Sequence, residues 1–211
     1  MPTNMFLELN EEKRNKIIEV CITEFAKYGY ENSSTNRIVQ IANISKGSLF
    51  KYFKNKDELY FYILNYVVQE LTTSLSQEIA TLPHGLFERI IKYSELEFSW
   101  YVKYPDKCKL ITTAFTKSDT EIYQKIEARY GLEGQSIYYE LVKDIDLSIL
   151  NCEKEKAIAI LKWFLTGFNN DFLSSIQIQD NTNLDLIKQK YVKSLTDYLE
   201  ILKYGLLKKE R

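Results

Sequence analysis

Apolar residues recur at spacings of three and four over most of the chain, and that period predicts helix after helix. Ile17, Cys21, Phe25 and Tyr28 make one stripe, with Ile18 beside it, and predict a helix over 10–28. Asn10 with Glu11 and Glu12 supplies its cap and acidic first turn. Gly29 stands where a helix end takes a left-handed residue, and Tyr30 is expected to pack back on the stripe. Two shorter helices follow. Ser34 caps the first, with Ile38, Ile41 and Ala42 on one face, and Asn43 tolerates the left-handed backbone that ends it. Ser45 caps the second, Lys46 to about Tyr52, with Leu49 and Phe53 pointing inward. Lys46, Gly47, Ser48, Phe50, Lys51 and Tyr52 are left on or near the outer side.

The remaining pattern is coarser. A helix opens at Lys56-Asp57-Glu58 and runs to about Ala80, and Pro83, His84 and Gly85 break the chain after it. Residues 86–103 place Phe87, Ile90, Ile91, Ser94, Phe98 and Tyr101 on or near one face. Tyr104-Pro105-Asp106 starts a short helix carrying Leu110, Ile111, Ala114 and Phe115, since Pro fits a first helical turn. Ser118-Asp119 begins a longer one to about Asp146, with Gly131 and Gly134 as a weak point. Two strong helices, 153–176 and 183–207, end the series. Their apolar faces are wide, through Ala157, Leu161, Leu165, Phe168 and Phe172 in one and Ile187, Tyr191, Leu195, Tyr198 and Leu202 in the other. Two readings stand: both helices belong to one core, or each buries one face inward and another against a partner.

Composition sharpens this picture only slightly. Seven Gly and three Pro in 211 residues leave long helices uninterrupted, so the fold class is all-α. Cys21, Cys108 and Cys152 are odd in number and in no metal-binding spacing, which fits a reducing compartment. The leading residues lack a basic region and a long apolar core, and the most apolar run, 59–68, is too short to span a bilayer. A cytoplasmic protein is expected, with no membrane partner. His84 has no companions for a metal site or a catalytic triad, and no Gly-rich phosphate loop is present, so an enzyme, a cofactor and a metal are not expected.

Charge does change the picture. Residues 1–56 carry nine Lys/Arg against six Asp/Glu, and the remainder 19 against 23. Between 33 and 56 the cations Arg37, Lys46, Lys51, Lys54 and Lys56 meet no acid at all. Phosphate contact needs clustered cations, and a short basic helix braced by a second one suits a DNA major groove.

The 34–59 stretch with the helix before it resembles the N-terminal domain of the tetracycline-repressor (TetR) family of bacterial transcription regulators. The family's pattern is met in register by Gly29-Tyr30, Ser34, Ile38, Ala42, Ile44, Ser45, Gly47, Leu49, Tyr52, Phe53, Lys56 and Leu59. Ser34 stands for Thr, Val39 for Ala, Asn43 for Gly and Phe50 for Tyr. Phe50 thereby lacks a hydroxyl that family members often aim at a phosphate. The resemblance implies about nine helices, with a DNA-binding domain over 1–55 and a ligand-binding and dimerisation domain over 56–211. It also implies that the last two helices pair with their symmetry mates, through Leu161, Phe164, Leu165, Phe168, Leu195, Tyr198, Leu199 and Leu202.

On this reading Lys46 contacts a base, with guanine O6 and N7 as targets, and Gly47 lets the backbone approach the groove. Thr35, Ser45, Lys51, Tyr52 and Lys56 are assigned to phosphates, and Ser48 and Phe50 to the same DNA face. Lys54 reads equally well as a solvated surface charge. An effector pocket is implied by the family alone. Its aromatic candidates are Phe98, Tyr101, Phe115, Tyr123, Tyr138, Trp163 and Phe168, each with ordinary core packing as the competing reading. The expected function is a dimeric repressor that a hydrophobic small molecule releases from a palindromic double-stranded operator. The alternatives are an activating or architectural DNA-binding regulator and a helical ligand-binding or interaction protein.

Overall fold

The structure is a computed structural model that describes residues 2–79, 81–116, 120–129, 145, 150–176 and 183–204, apart from the side chains of residues 77 and 116. The described residues are helical with no strand. Packing divides the chain into two compact units, one of Met1–Ser74 with Lys103–Arg129 and one of Leu75–Val102 with Tyr130–Arg211.

The first unit is built around α2 (Glu11–Asn32), whose start is capped as expected by Asn10 accepting from the Lys13 N–H at 2.9 Å. Ile17, Ile18, Cys21, Ile22 and Phe25 are buried along it. At Gly29 the helix kinks, with φ 67° and ψ −180°, a conformation closed to most residues with a Cβ. Beyond the kink Tyr30 returns to the core and meets Tyr60 edge-on at 5.1 Å, while Phe25 meets the same ring at 4.9 Å. Tyr28 departs from the expected stripe. It is 36% exposed, and its ring lies under the Arg37 guanidinium at 4.1 Å.

Helices α3 (Thr35–Ala42) and α4 (Lys46–Tyr52) follow, joined by a turn in which Asn43 holds φ 55° and ψ 50°. Helix α5 (Lys56–Ile79) carries Leu59, Tyr60, Ile63, Leu64 and Val67 into the first unit's core. Helix α7 (Pro105–Thr116) packs along α2, where Thr23 donates to the Asp106 carboxylate at 3.0 Å. Lys107 of α7 pairs with Glu70 at 2.8 Å. A helical stretch over 121–129, α8, completes the unit. The expected kink at Gly131 and Gly134 and the run to Asp146 lie outside the described residues, as does the end of the last helix beyond 204. An element no periodicity predicted is the one-turn α1 (Asn4–Leu7), whose Phe6 is fully buried.

In the second unit, α6 (Leu86–Lys103), α9 (Lys154–Ser175) and α10 (Leu184–Tyr204) share one core. Leu86, Ile90 and Phe98 meet Ile158, Leu161 and Leu165, together with Tyr191, Leu195 and Leu199. Phe98 stacks on Tyr191 at 4.1 Å, and the Tyr191 hydroxyl donates to Asn169 at 2.7 Å, so its buried polar end is satisfied. Glu97 accepts from the Tyr101 hydroxyl at 3.1 Å, yet burial still pushes its carboxyl up to about 7. Between the ordinary value of 4.5 and that value, the folded chain holds a proton that the unfolded chain releases. Glu97's contribution to native stability therefore falls as pH rises across this window and levels off above it. Glu97→Gln is expected to melt higher than the parent at pH 8, with the gap closing by pH 5. A gap that is equal at the two pH values would refute this account of Glu97.

Candidate nucleic-acid interface

The two helices that form the site are each fixed by their own first residue. Ser34 accepts from the Arg37 N–H at 3.4 Å and Ser45 from the Ser48 N–H at 2.9 Å, both as the sequence predicts. Helix α4 has only seven residues, so its stability comes from packing rather than propensity. Leu49 and Phe53 are each 1% exposed beneath it, again as expected. On the other side Lys46, Gly47, Phe50 and Lys51 are exposed, with Phe50 at 42%. Ser48 is half-buried, its hydroxyl 2.8 Å from that of Ser45. A Cβ placed at Gly47 would meet only the Ser45 hydroxyl, at 3.8 Å, so packing within the chain does not demand glycine there. Thr35 is half-buried at the first turn of α3.

Two outward or inward assignments are corrected. Tyr52 is 5% exposed, its ring 5.7 Å from that of Phe6, so it belongs to the core rather than the outer side of α4. Ile41, expected inside with Ile38 and Ala42, is 59% exposed, while those two are buried. On an eight-residue helix one buried stripe is narrow, and Ile41 falls a full position off it.

The cations of the stretch divide by partner. Arg37 is held by Glu24 of α2, through Nη2 at 2.6 Å and Nε at 3.0 Å, and that bond raises its pKa. Glu24 is 4% exposed and also accepts from the Ser34 N–H at 2.7 Å. This carboxylate therefore braces the start of α3 against α2, and Arg37 serves that joint. The sequence carries a signal for it. Glu24 lies three residues after Cys21 on the apolar side of α2, where an acid needs a buried partner. Lys56 donates to the Glu31 carbonyl at 3.2 Å and lies over the Tyr30 ring at 4.6 Å, and desolvation lowers its pKa. Its ammonium has three N–H donors, of which the carbonyl takes one. Beside it Asp57 accepts from the Tyr30 hydroxyl and pairs with Lys125 of α8 at 2.8 Å. The hydrogen bond from Lys125, then that from Tyr30, lowers its pKa. The acid next to Lys56 is thus engaged away from it.

Of the effector candidates, Phe98 and Phe168 share the second unit's core. Phe98 is 2% exposed inside the second unit's core, and Tyr101 is buried there with its hydroxyl on Glu97. Phe115 and Tyr123 belong to the first unit. Trp163 is 72% exposed on α9, and Tyr138 lies outside the described residues. Phe168 is half-buried among Phe164, Phe172, Tyr191 and Tyr198. A shallow depression of about 330 Å³ over Tyr66, Gln69, Glu70, Thr73 and Ser74 contains none of the six described candidates. The dimer candidates split as well. Leu161, Leu165, Leu195 and Leu199 are buried in the core of their own chain. Phe164 and Phe168 are half-buried, and Tyr198 and Leu202 are 53% and 39% exposed.

A capped two-helix motif with a basic outer face, followed by a wholly helical remainder among the described residues, defines a helix-turn-helix regulator that binds DNA. Residues 17–63 match the family model for bacterial regulatory proteins of the tetR family. An HTH-type transcriptional regulator of Staphylococcus aureus is 30% identical over 137 residues, 64% of this chain and 70% of that protein. Among solved structures, a TetR family transcriptional regulator from Chloroflexus aurantiacus superposes with a TM-score of 0.71 at 22% identity, over 96% of this chain and 97% of that one. FadR from Bacillus subtilis, solved in complex with stearoyl-CoA, gives 0.65 at 18% identity over 92% and 99%. The chain belongs to the TetR family of bacterial transcriptional regulators, which are not enzymes. Among the described residues no helix is long and apolar enough to cross a membrane, and no group of three His, Cys, Asp or Glu could hold a metal ion.

Proposed function

We propose that the chain acts as a homodimeric repressor that a hydrophobic small molecule releases from a near-palindromic operator. Residues 1–55 read the DNA, and residues 56–211 hold the effector and the partner. The observation that carries the DNA part is the outer face of α4, where Lys46, Gly47, Phe50 and Lys51 lie exposed above a buried Leu49 and Phe53. Lys46 reads a base, and Thr35, Ser45, Lys51 and Lys56 hold phosphates. Effector control is supported by the fold shared with FadR of Bacillus subtilis, whose structure contains stearoyl-CoA. Release follows if the effector favours a dimer whose recognition helices no longer match the half-site spacing.

The test begins with a gel shift on DNA upstream of the protein's own coding region, followed by a reporter driven from the shifted fragment. Repression predicts lower output with the chain present and recovery when an effector found by thermal shift is added. Higher output in its presence would establish an activator instead. In the same titration Lys56→Ala is expected to weaken operator and random DNA alike. It should flatten the slope of log K against log salt by about one per bound subunit. An unchanged slope would remove Lys56 from the phosphate contacts.

A further inference from the structure

We infer that α1 is a positioning strut for operator reading, with Thr3 and Phe6 setting the orientation of the recognition helix α4. A seven-residue helix leaves its last carbonyls without intrahelical donors, and they ordinarily turn to water. Here Thr3 takes two of them. Its N–H donates to the Tyr52 carbonyl at 3.0 Å and its hydroxyl to the Lys51 carbonyl at 2.9 Å. Three residues on, Phe6 is fully buried in an aromatic nest, 4.7 Å from Phe53, 5.4 Å from Tyr62 and 5.7 Å from Tyr52. That nest joins α4, the residue after it and α5. The other end of the strut is tied to α2, where Arg14 donates to the Leu7 carbonyl at 2.9 Å.

The strut therefore runs from α2 to the last turn of α4 and fixes the end of the helix that Ser45 does not cap. It lies under the outer face rather than on it. Lys46, Gly47 and Phe50 are attached to a helix whose pitch relative to α2 is set at one end by the turn and at the other by Thr3 and Phe6. Loss of the strut leaves the basic residues in place and their aim undefined. Base-edge hydrogen bonds need that aim, whereas charge attraction to phosphates does not.

The experiment uses the full chain and an operator selected from random DNA by the parent protein. Thr3→Ala, Phe6→Ala and Phe6→Leu are titrated on that operator and on random duplex, with melting curves and amide exchange alongside. Thr3→Ala removes the hydroxyl bond to Lys51 and keeps the backbone one to Tyr52, so the expected loss is roughly two- to tenfold on the operator, the range of one hydrogen bond, with less than twofold on random DNA. Phe6→Ala is expected to lose more than tenfold on the operator and Phe6→Leu to recover part of it. Amides of 46–53 should exchange faster while those of α10 stay at parental rates. Operator affinity within twofold of the parent in the folded variants overturns the inference. So does an equal loss on operator and random DNA, which would reflect less folded protein. Where Phe6→Ala does not fold, Thr3→Ala and Phe6→Leu decide by the same two criteria.

Discussion

Lys46→Ala is expected to weaken operator binding by about 1–3 kcal/mol per half-site, roughly five- to 150-fold, and to relax base preference at one position of each half-site. Lys46 is the first residue of α4, directly after the Ser45 cap, and it is exposed. The other cations of the stretch are differently placed. Arg37 is bound to Glu24, Lys56 to the Glu31 carbonyl, Lys51 sits in the last turn of α4, and Lys54 lies beyond its end. The base-reading assignment therefore falls on the start of the helix, where Gly47 adds no side chain between backbone and groove. Lys46→Arg is the informative companion, since its planar fork suits guanine O6 and N7. It should keep the base preference that alanine loses. The check is a titration over operators carrying each base at the affected position. If Lys46→Ala lowered affinity for all four by the same factor, Lys46 would be a phosphate contact and not a reader.

What was legible in the sequence follows from how far each interaction reaches. Ser34, Ser45 and Asn10 were readable as caps because the cap bond spans three residues. Asn43 was readable because its left-handed backbone depends on its own side chain. Glu24 with Arg37 spans 13 positions, and Phe6 with Phe53 spans 47, so neither leaves a periodic trace. Tyr52 and Tyr28 exchanged expectations for the same reason. Each sits at the edge of a helical stripe, and a residue from another element decided it, Phe6 covering Tyr52 and Arg37 lying over Tyr28. On the candidate interface, spacing placed Lys46, Phe50 and Lys51 outside correctly. It could not divide the cations between DNA and Glu24, because that division is made by a helix upstream.

The wide apolar faces of α9 and α10 carry the second large effect. Of the eight residues expected at a partner face, Leu161, Leu165, Leu195 and Leu199 line the chain's own core. What stays outside is an apolar set: Trp163 at 72% exposure, Ile160, Tyr198, Ile201 and Leu202. Gly167 is exposed on α9, four residues after Trp163, and a Cβ there would meet nothing within 4 Å. A mid-helix glycine costs about 1 kcal/mol against alanine, which close approach of another helix would offset. Trp163→Glu with Tyr198→Glu would put four charges into the proposed two-fold interface while leaving the buried leucines in place. The expected result is a monomer by sedimentation velocity, with the parental melting curve of the isolated subunit. Operator affinity should fall at least about 100-fold, because one recognition helix reads too few bases alone. Random DNA, bound through phosphates, should suffer far less. Leu195→Ala is the opposite case. It removes a fully buried side chain and should cost about 2–5 kcal/mol of stability without charging the exposed face. A double-Glu variant that stays dimeric, or a parent that sediments as a monomer, would place the partner surface elsewhere. Loss of the dimer on Leu195→Ala at unchanged stability would show that the buried leucines, and not Trp163 and Tyr198, face the partner.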